Sequence, residues 1–204
     1  MTLFGPSAFG QSYGLKFAYP STDALQFSAT SPNLSYSIHS RVPEFGITGE
    51  LGLPGGFNLE IDALYSRMSY SSRSMGVDVL TRSSTTINNW DFPVLLKKPL
   101  SRKLIRPFVN AGAAFRAVNE DTNANTIVFP SNVTQTRMRA IEYIHQGTAG
   151  TAAGAGIDFR IGKVHVVPEF RYTRFQRENF RAPIGNFHSN LSQSLFLLGL
   201  EKGR

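Results

Sequence analysis

The stretch that most limits what this chain can fold into is residues 146–175, QGTAGTAAGAGIDFRIGKVHVVPEFRYTRF. Along its first arm Ala149, Thr151, Ala153, Ala155, Ile157, Phe159 and Ile161 share one parity, and Gly150, Gly154, Gly156, Asp158 and Arg160 share the other. A period of two marks a strand with unlike faces. The second arm repeats it, with Val164, Val166, Pro168, Phe170 and Tyr172 opposed to His165, Glu169, Arg171 and Thr173. Gly162-Lys163 between the arms is a two-residue hairpin connection. Both arms exceed the usual strand of about 5 to 6 residues, and one face of each carries charge along its length. A sheet packed on an ordinary core has no room for such a face. A transmembrane β-barrel does, because its lipid side must be apolar while its inward side takes polar groups that pair with one another.

The remaining sequence fits that frame. At 204 residues one domain is expected, and no run approaches the roughly 18 apolar residues of a membrane-crossing helix. Cysteine is absent, which excludes disulfide, thiolate-nucleophile and cysteine-zinc chemistry. The net charge of +7 invites an acidic partner, but the basic residues are scattered and form no recognition helix, so nucleic acid is not expected. Residues 1–10, MTLFGPSAFG, have no basic n-region, while Ala8-Phe9-Gly10 places small residues where a signal peptidase reads. They are either the end of a signal peptide or a loose tail, with the barrel spanning 11–204.

In chain order the first strand sets Tyr13, Leu15, Phe17 and Tyr19 against Ser12, Gly14, Lys16 and Ala18. A loop over 21–41 follows. The second and third strands oppose Phe45, Ile47, Leu51, Leu59, Ile61 and Tyr65 to Glu44, Thr48, Glu50, Glu60 and Asp62, about a Pro54-Gly55-Gly56 turn. After a loop over 71–86, the fourth and fifth strands set Trp90, Phe92, Val94, Val109 and Phe115 against Asp91, Lys97, Arg106 and Arg116 across a short turn at 101–104. A third loop, 119–145, leads into the reference hairpin, and a fourth, 176–188, into the last strand, where Phe196, Leu198 and Leu200 alternate with Gln193, Leu195, Leu197 and Gly199. Eight strands joined by alternately long and short connections predict an all-β, eight-stranded, antiparallel up-and-down transmembrane barrel, with both termini at the short-turn end. A soluble lipocalin-like carrier has the same strand count with the parities reversed. Aromatic residues near strand ends, Tyr13, Tyr19, Tyr65, Trp90, Phe115 and Tyr172, suit membrane-interface girdles.

The segments ELGLPGGFNLEIDALYSRMSY, NNWDFPVLLKKPL, RPFVNAGAAFRAV, GAGIDFRIGKVHVVPEFRYTRF and LFLLGL resemble the bacterial outer-membrane β-barrel proteins, the small porin-like group that includes the OmpA and OmpX barrels. The resemblance implies an outer-membrane location, contact with outer-membrane lipids including lipopolysaccharide, insertion by the barrel assembly machinery, and a single-chain barrel. Members of that group usually end in an aromatic residue, whereas this sequence ends Leu200-Glu201-Lys202-Gly203-Arg204.

The inward parity collects Lys16, Glu44, Glu50, Glu60, Asp62, Asp91, Lys97, Arg106, Arg116, Asp158, Arg160, Glu169, Arg171 and Glu201. Carboxylates in a lumen are the material of a catalytic pair or a metal cage. An eight-stranded barrel, however, is just wide enough for its own side chains, and buried charges must pair. The expectation is therefore a salt-bridge network that closes the lumen, with Asp158 and Arg160 in reach of Glu169 and Arg171, and with no metal, cofactor or catalysis. A narrow porin-like channel is the alternative. Arg41, Arg67, Arg73, Arg82, Arg137, Arg139, Arg174, Arg177 and Arg181 fall at loops and rims, where guanidinium suits phosphate. Phe187-His188-Ser189-Asn190 with Glu201 is similar to the His, Ser and Glu set of outer-membrane lipid A deacylases. In that family one residue separates His from Ser; here they are adjacent and alternation sends them to opposite faces, so both are expected to be ordinary loop residues. No nucleotide, protease or hydrolase motif is present.

Overall fold

The computed structural model describes residues 11–28, 33–101, 104–128, 132–138, 140, 142–182 and 186–203. Residues 1–10, on which the signal-or-tail expectation falls, lie outside them. In chain order the strands are β1 (Gln11–Pro20), β2 (Leu25–Ser28), β3 (Leu34–His39), β4 (Glu44–Leu53), β5 (Phe57–Gly76), β6 (Val79–Pro99), β7 (Ile105–Val128), β8 (Asn132–Met138), β9 (Gly147–Ile161), β10 (Val164–Phe175), β11 (Asn186–Ser189) and β12 (Ser192–Gly203). Eight of them, β1, β4, β5, β6, β7, β9, β10 and β12, pair antiparallel in that order, and β12 returns to β1 from Ser12↔Gly203 to Pro20↔Leu195. The sheet closes on itself, which leaves the ring without an edge in the hydrocarbon region.

The side chains sort by parity as the alternation requires. Leu15, Ile47, Phe45, Phe170, Phe196, Leu198 and Leu200 point outward and are exposed, while Lys16, Glu60, Asp62, Leu64, Leu95, Phe108, Glu169, Arg171 and Leu197 point inward and are buried. A continuous apolar exterior of this size is not tolerated in water and is required in lipid. The soluble-carrier alternative, which needs the charged parity outside, is overturned. Phe45, Tyr65, Trp90 and Phe92 form a chain of outward rings with centroids 5.5, 5.1 and 6.1 Å apart.

The short connections bend where glycine permits it. Gly55, Gly56 and Gly162 have φ of 79°, 71° and 64°, a region costly for other L-residues. Two prolines interrupt the ladders from within. Pairing between β5 and β6 passes from Ile61↔Val94 to Leu64↔Asp91, skipping Pro93, and between β9 and β10 from Val166↔Phe159 to Glu169↔Gly156, skipping Pro168. Each proline lacks the N–H that its neighbour would accept.

The long connections differ from the sequence expectation. The stretch expected as a loop over 71–86 is strand on both sides of a Val77-Asp78 turn, with pairing unbroken from Leu64↔Asp91 to Gly76↔Val79. The expected 119–145 loop holds the end of β7 and the whole of β8, which pairs with it from Thr122↔Met138 to Val128↔Asn132. The expected 21–41 loop holds β2 and β3, and β3 lies along the upper half of β5. The expected 176–188 loop ends in β11, which pairs with β2. Above residue 70 the β5–β6 hairpin carries serine and threonine on both parities and leaves no periodic signature, whereas Leu34, Tyr36 and Ile38 of β3 do alternate with polar residues, and the last two pack toward the interior.

Ile47 is 63% exposed on the outward face, opposite Leu15 and Ala63. An arginine there has no water to reach. Ile47→Arg is expected to destabilise the barrel by about 2 to 4 kcal/mol, measured as urea unfolding of protein refolded in lipid vesicles. Unchanged stability would mean that this parity does not face hydrocarbon.

Candidate functional site

The polar interior is a stack of three tiers, of which the middle one joins β1, β5 and β10, strands that are not neighbours in the ring. In the middle tier Arg171 of β10 donates from Nη1 to Asp62 at 2.7 Å, from Nη2 to Glu60 at 2.7 Å, and from Nε and Nη2 to Glu169 at 2.7 and 3.0 Å. Lys16 of β1 adds a second cation, with Nζ 2.5 Å from Glu60, 3.0 Å from Asp62 and 3.4 Å from Glu169. All five side chains have essentially no solvent exposure. Across the ladder from Arg171 stands Gly154, where an added Cβ would lie 2.6 Å from Asn110 Oδ1 and 3.0 Å from Glu169 Oε1. The missing side chain leaves space for Asn110 Nδ2 to donate to Glu169 at 3.0 Å.

Toward the short turns, Lys97 pairs with Glu50, stands 3.1 Å from Glu60, and lies 4.2 Å over the Phe108 ring. Arg106 pairs with Asp158, which also meets His165 Nδ1 at 2.9 Å. Glu201 accepts from Ser12 at 2.9 Å. Toward the long connections, Arg116 grips Asp91 with two bonds of 2.7 Å, donates to Gln193, and stacks 4.0 Å from the Phe175 ring. Gln193 passes the contact on to Glu44 at 2.8 Å. That relay runs from β6 and β7 to β12 and β4.

The structure brings most of the fourteen inward residues into contact, but not in the expected pairs. Asp158 joins Arg106 rather than strand β10's Arg171, and Arg160 sits exposed at the rim, its Nε 3.5 Å from His165 Nε2. The β9–β10 register sets Gly156 level with Glu169 and Gly154 level with Arg171, whereas Asp158 is the direct cross-strand partner of Arg106 on β7. Asn110, His165 and Gln193 complete the tiers and share the inward parity, so their place was legible in the alternation although none is an acid or a Lys or Arg.

Above the charges lies an apolar cap. Leu25, Met68, Tyr70, Ile87, Val118, Phe180, Ala182 and Phe187 form one buried cluster, with Phe27, Tyr36 and Tyr143 packed on it. Tyr36 stacks on Phe187 with ring centroids 4.8 Å apart. The hydroxyls of Tyr36 and Tyr70 donate to Glu142 at 2.8 and 3.1 Å, tying the connection after β8 to β3 and β5. Burial, then the Glu142 carboxylate, holds the Tyr36 phenol above its ordinary range. Met68 and Tyr70 continue the inward parity of Leu64, so the signal for the cap was present in the alternation.

The rim arginines do not converge as a set, although Arg73 and Arg82 are cross-strand partners. Arg41 pairs with Asp23 at 3.3 Å, Arg181 with Glu178 at 2.6 Å, and Arg174 donates to Ser192 at 2.9 Å. Arg177 is exposed. Arg67, Arg73 and Arg82 project from the outward face of the β5–β6 hairpin. The backbone of Arg137 pairs with Asn123, and Arg139 lies outside the described residues. The outward aromatics Tyr13, Tyr19, Trp90, Phe115 and Tyr172 are exposed, and Tyr65 is partly covered. His188 and Ser189 do diverge, but Ser189 is no ordinary loop residue. It is buried, its Oγ accepts from the backbone N–H of Asn179 at 2.9 Å and of Phe180 at 3.1 Å, and Glu201 lies at the other end of β12.

Two substitutions follow from these contacts. Arg171→Ala removes one of the two cations shared by three carboxylates in a closed space and is expected to cost about 3 to 5 kcal/mol, read from urea unfolding in vesicles. Ser189→Ala leaves two buried N–H groups unpaired and is expected to cost about 1 to 3 kcal/mol by the same measurement. A value near zero for either would mean that water reaches the site.

No protein-family model and no curated protein sequence matches the chain. Solved structures do. The outer membrane protein OprG from Pseudomonas aeruginosa aligns with a TM-score of 0.58 at 13% identity, over 96% of this chain and 95% of that chain. Ail, the attachment invasion locus protein of Yersinia pestis, covers 96% of this chain and 97% of its own at 9% identity, and Neisserial surface protein A covers 95% and 96% at 12%. Their TM-scores of 0.38 and 0.37 are too low to add to the argument. The closed ring, the apolar exterior and the likeness to OprG agree: the chain has the fold of the eight-stranded transmembrane β-barrels of bacterial outer membranes.

Proposed function

We propose that the chain is an integral outer-membrane protein whose lumen is sealed, and that it acts as a membrane-held platform for its extracellular strands rather than as an open pore or an enzyme. The observation that carries this is Arg171, which reaches across the lumen from β10 to carboxylates on β5 and has a side-chain exposure of 1%. A guanidinium so placed fills the space that a solute would need, and moving it aside would leave charges unpaired. The Arg116 relay and the apolar cap lie in series with it, so a path through the barrel would have to disrupt all three. The partners consistent with this reading are outer-membrane lipids, lipopolysaccharide among them, and the barrel assembly machinery, with one chain forming the complete barrel.

The interior carboxylates serve structure in this reading. Asp62 and Glu169 are each engaged by two cations and Glu60 by three, which leaves none of them poised as a base toward an open cleft. The His188, Ser189 and Glu201 set lacks the proximity that nucleophile and base require.

Purified protein in planar bilayers is expected to give no steady conductance, and Phe187→Ala is expected to behave alike, since the charged tiers remain beneath an opened cap. Large, stable open-channel steps from the wild type would overturn the sealed-lumen reading.

A further inference from the structure

The β5–β6 hairpin continues past the aromatic belt, and its outward face stays continuous with the lipid-facing surface below. Going up from the Tyr65↔Trp90 pair, that face presents Arg67, Ser71 and Arg73 on β5 and Thr86, Ser84 and Arg82 on β6. Arg73 and Arg82 are direct cross-strand partners. Side chains so opposed start about 4.5 to 5.5 Å apart, and like charges in that position repel. Among the described residues no side-chain hydrogen bond or ion pair engages Arg67, Arg73 or Arg82. A repulsive pair of free guanidiniums over a hydroxyl-rich sheet is complementary to a ligand that brings both anionic oxygens and sugar hydroxyls.

Position narrows the ligand. With about 3.3 Å per residue and a tilt near 40°, Arg67 stands about 5 Å above the Tyr65 level and the Arg73–Arg82 pair about 20 Å above it. The first height is that of a lipid headgroup, and the second that of saccharide attached to it. We infer that the outward face of the β5–β6 hairpin binds the phosphorylated oligosaccharide of an outer-leaflet glycolipid, Arg67 taking a headgroup phosphate, Arg73 and Arg82 sharing a phosphate farther out, and Ser71, Ser84 and Thr86 meeting sugar hydroxyls. This rests on the outer-membrane reading above and adds the ligand and the face that holds it.

The test uses the whole chain refolded into phosphatidylethanolamine vesicles that contain rough lipopolysaccharide, either intact or with its phosphates removed by hydrogen fluoride. Glycolipid retained per chain after detergent extraction is measured by mass spectrometry, and the heat-dependent gel shift of a folded barrel records insertion. The wild type is expected to retain at least about tenfold more intact than dephosphorylated glycolipid, the difference made by one or two charge-assisted contacts. R73Q/R82Q is expected to lose that preference with insertion unchanged, and R73K/R82K to keep part of it. Equal retention of the two glycolipids by an inserted wild type, or unchanged preference in R73Q/R82Q, would overturn the site and leave the barrel reading intact. A wild type that never gives the folded, inserted form would overturn both. Chain-to-chain cross-links across this face without glycolipid would assign it to a second copy instead.

Discussion

Charge enclosed by a ring of eight strands has to be neutralised by other charge in the same ring, and the architecture depends on that constraint. Lys16 on β1, Glu60 and Asp62 on β5, and Glu169 and Arg171 on β10 meet at one height. No two of those three strands are neighbours. The contacts therefore exist only once the sheet has closed and every intervening register is right. A slip of one residue in β1 would turn Lys16 toward hydrocarbon and Leu15 or Phe17 toward the carboxylates. The same contacts that fill the barrel thus discriminate against wrong pairings, and the smallness of Gly154 at the crowded level belongs to that requirement.

What the sequence disclosed follows from where two unlike solvents meet. Within the bilayer one parity must be apolar and the other polar, so the runs around Leu15, Ile47, Phe170 and Leu198 give away strand, facing and order together. Toward the end of the β5–β6 hairpin the distinction vanishes. Ser71, Ser72, Ser83 and Ser84 are equally at home on either face, and the strands they belong to read as loop. The membership of the interior was legible through parity, but its pairing was not. Which carboxylate meets which base depends on the register between strands: Asp158 stands directly across from Arg106 on β7, while Arg171 stands across from Gly154. Neutral members such as Asn110 and Gln193 share the inward parity and supply the links between ions.

The interior changes character along the axis. Below, the side chains are ionic and multiply bonded; above, from Leu25 to Phe187, they are an ordinary hydrophobic cluster sealed at its rim by two tyrosines on Glu142. The two halves respond to different conditions. Salt acts on exposed or partly exposed charges and little on the buried tiers, whereas the cap weakens as apolar burial weakens in the cold. Pro93 and Pro168 open gaps in the ladder beside the ionic half, where the inward pairs Asp62 with Arg171 and Glu169 with Lys16 tie the wall together from inside.

The β5–β6 hairpin is a single unbroken ladder from Leu64↔Asp91 to Gly76↔Val79, and its tip carries Val77 at 92% exposure. Such a ribbon behaves as a ruler. Its reach above the bilayer is set by a count of residue pairs, and shortening it by one pair lowers the tip by about 2.5 Å while exchanging its two faces. Only changes of two pairs preserve which side meets the membrane surface. Length variation in this hairpin is therefore quantised, and evolution can tune its height only in steps of about 5 Å.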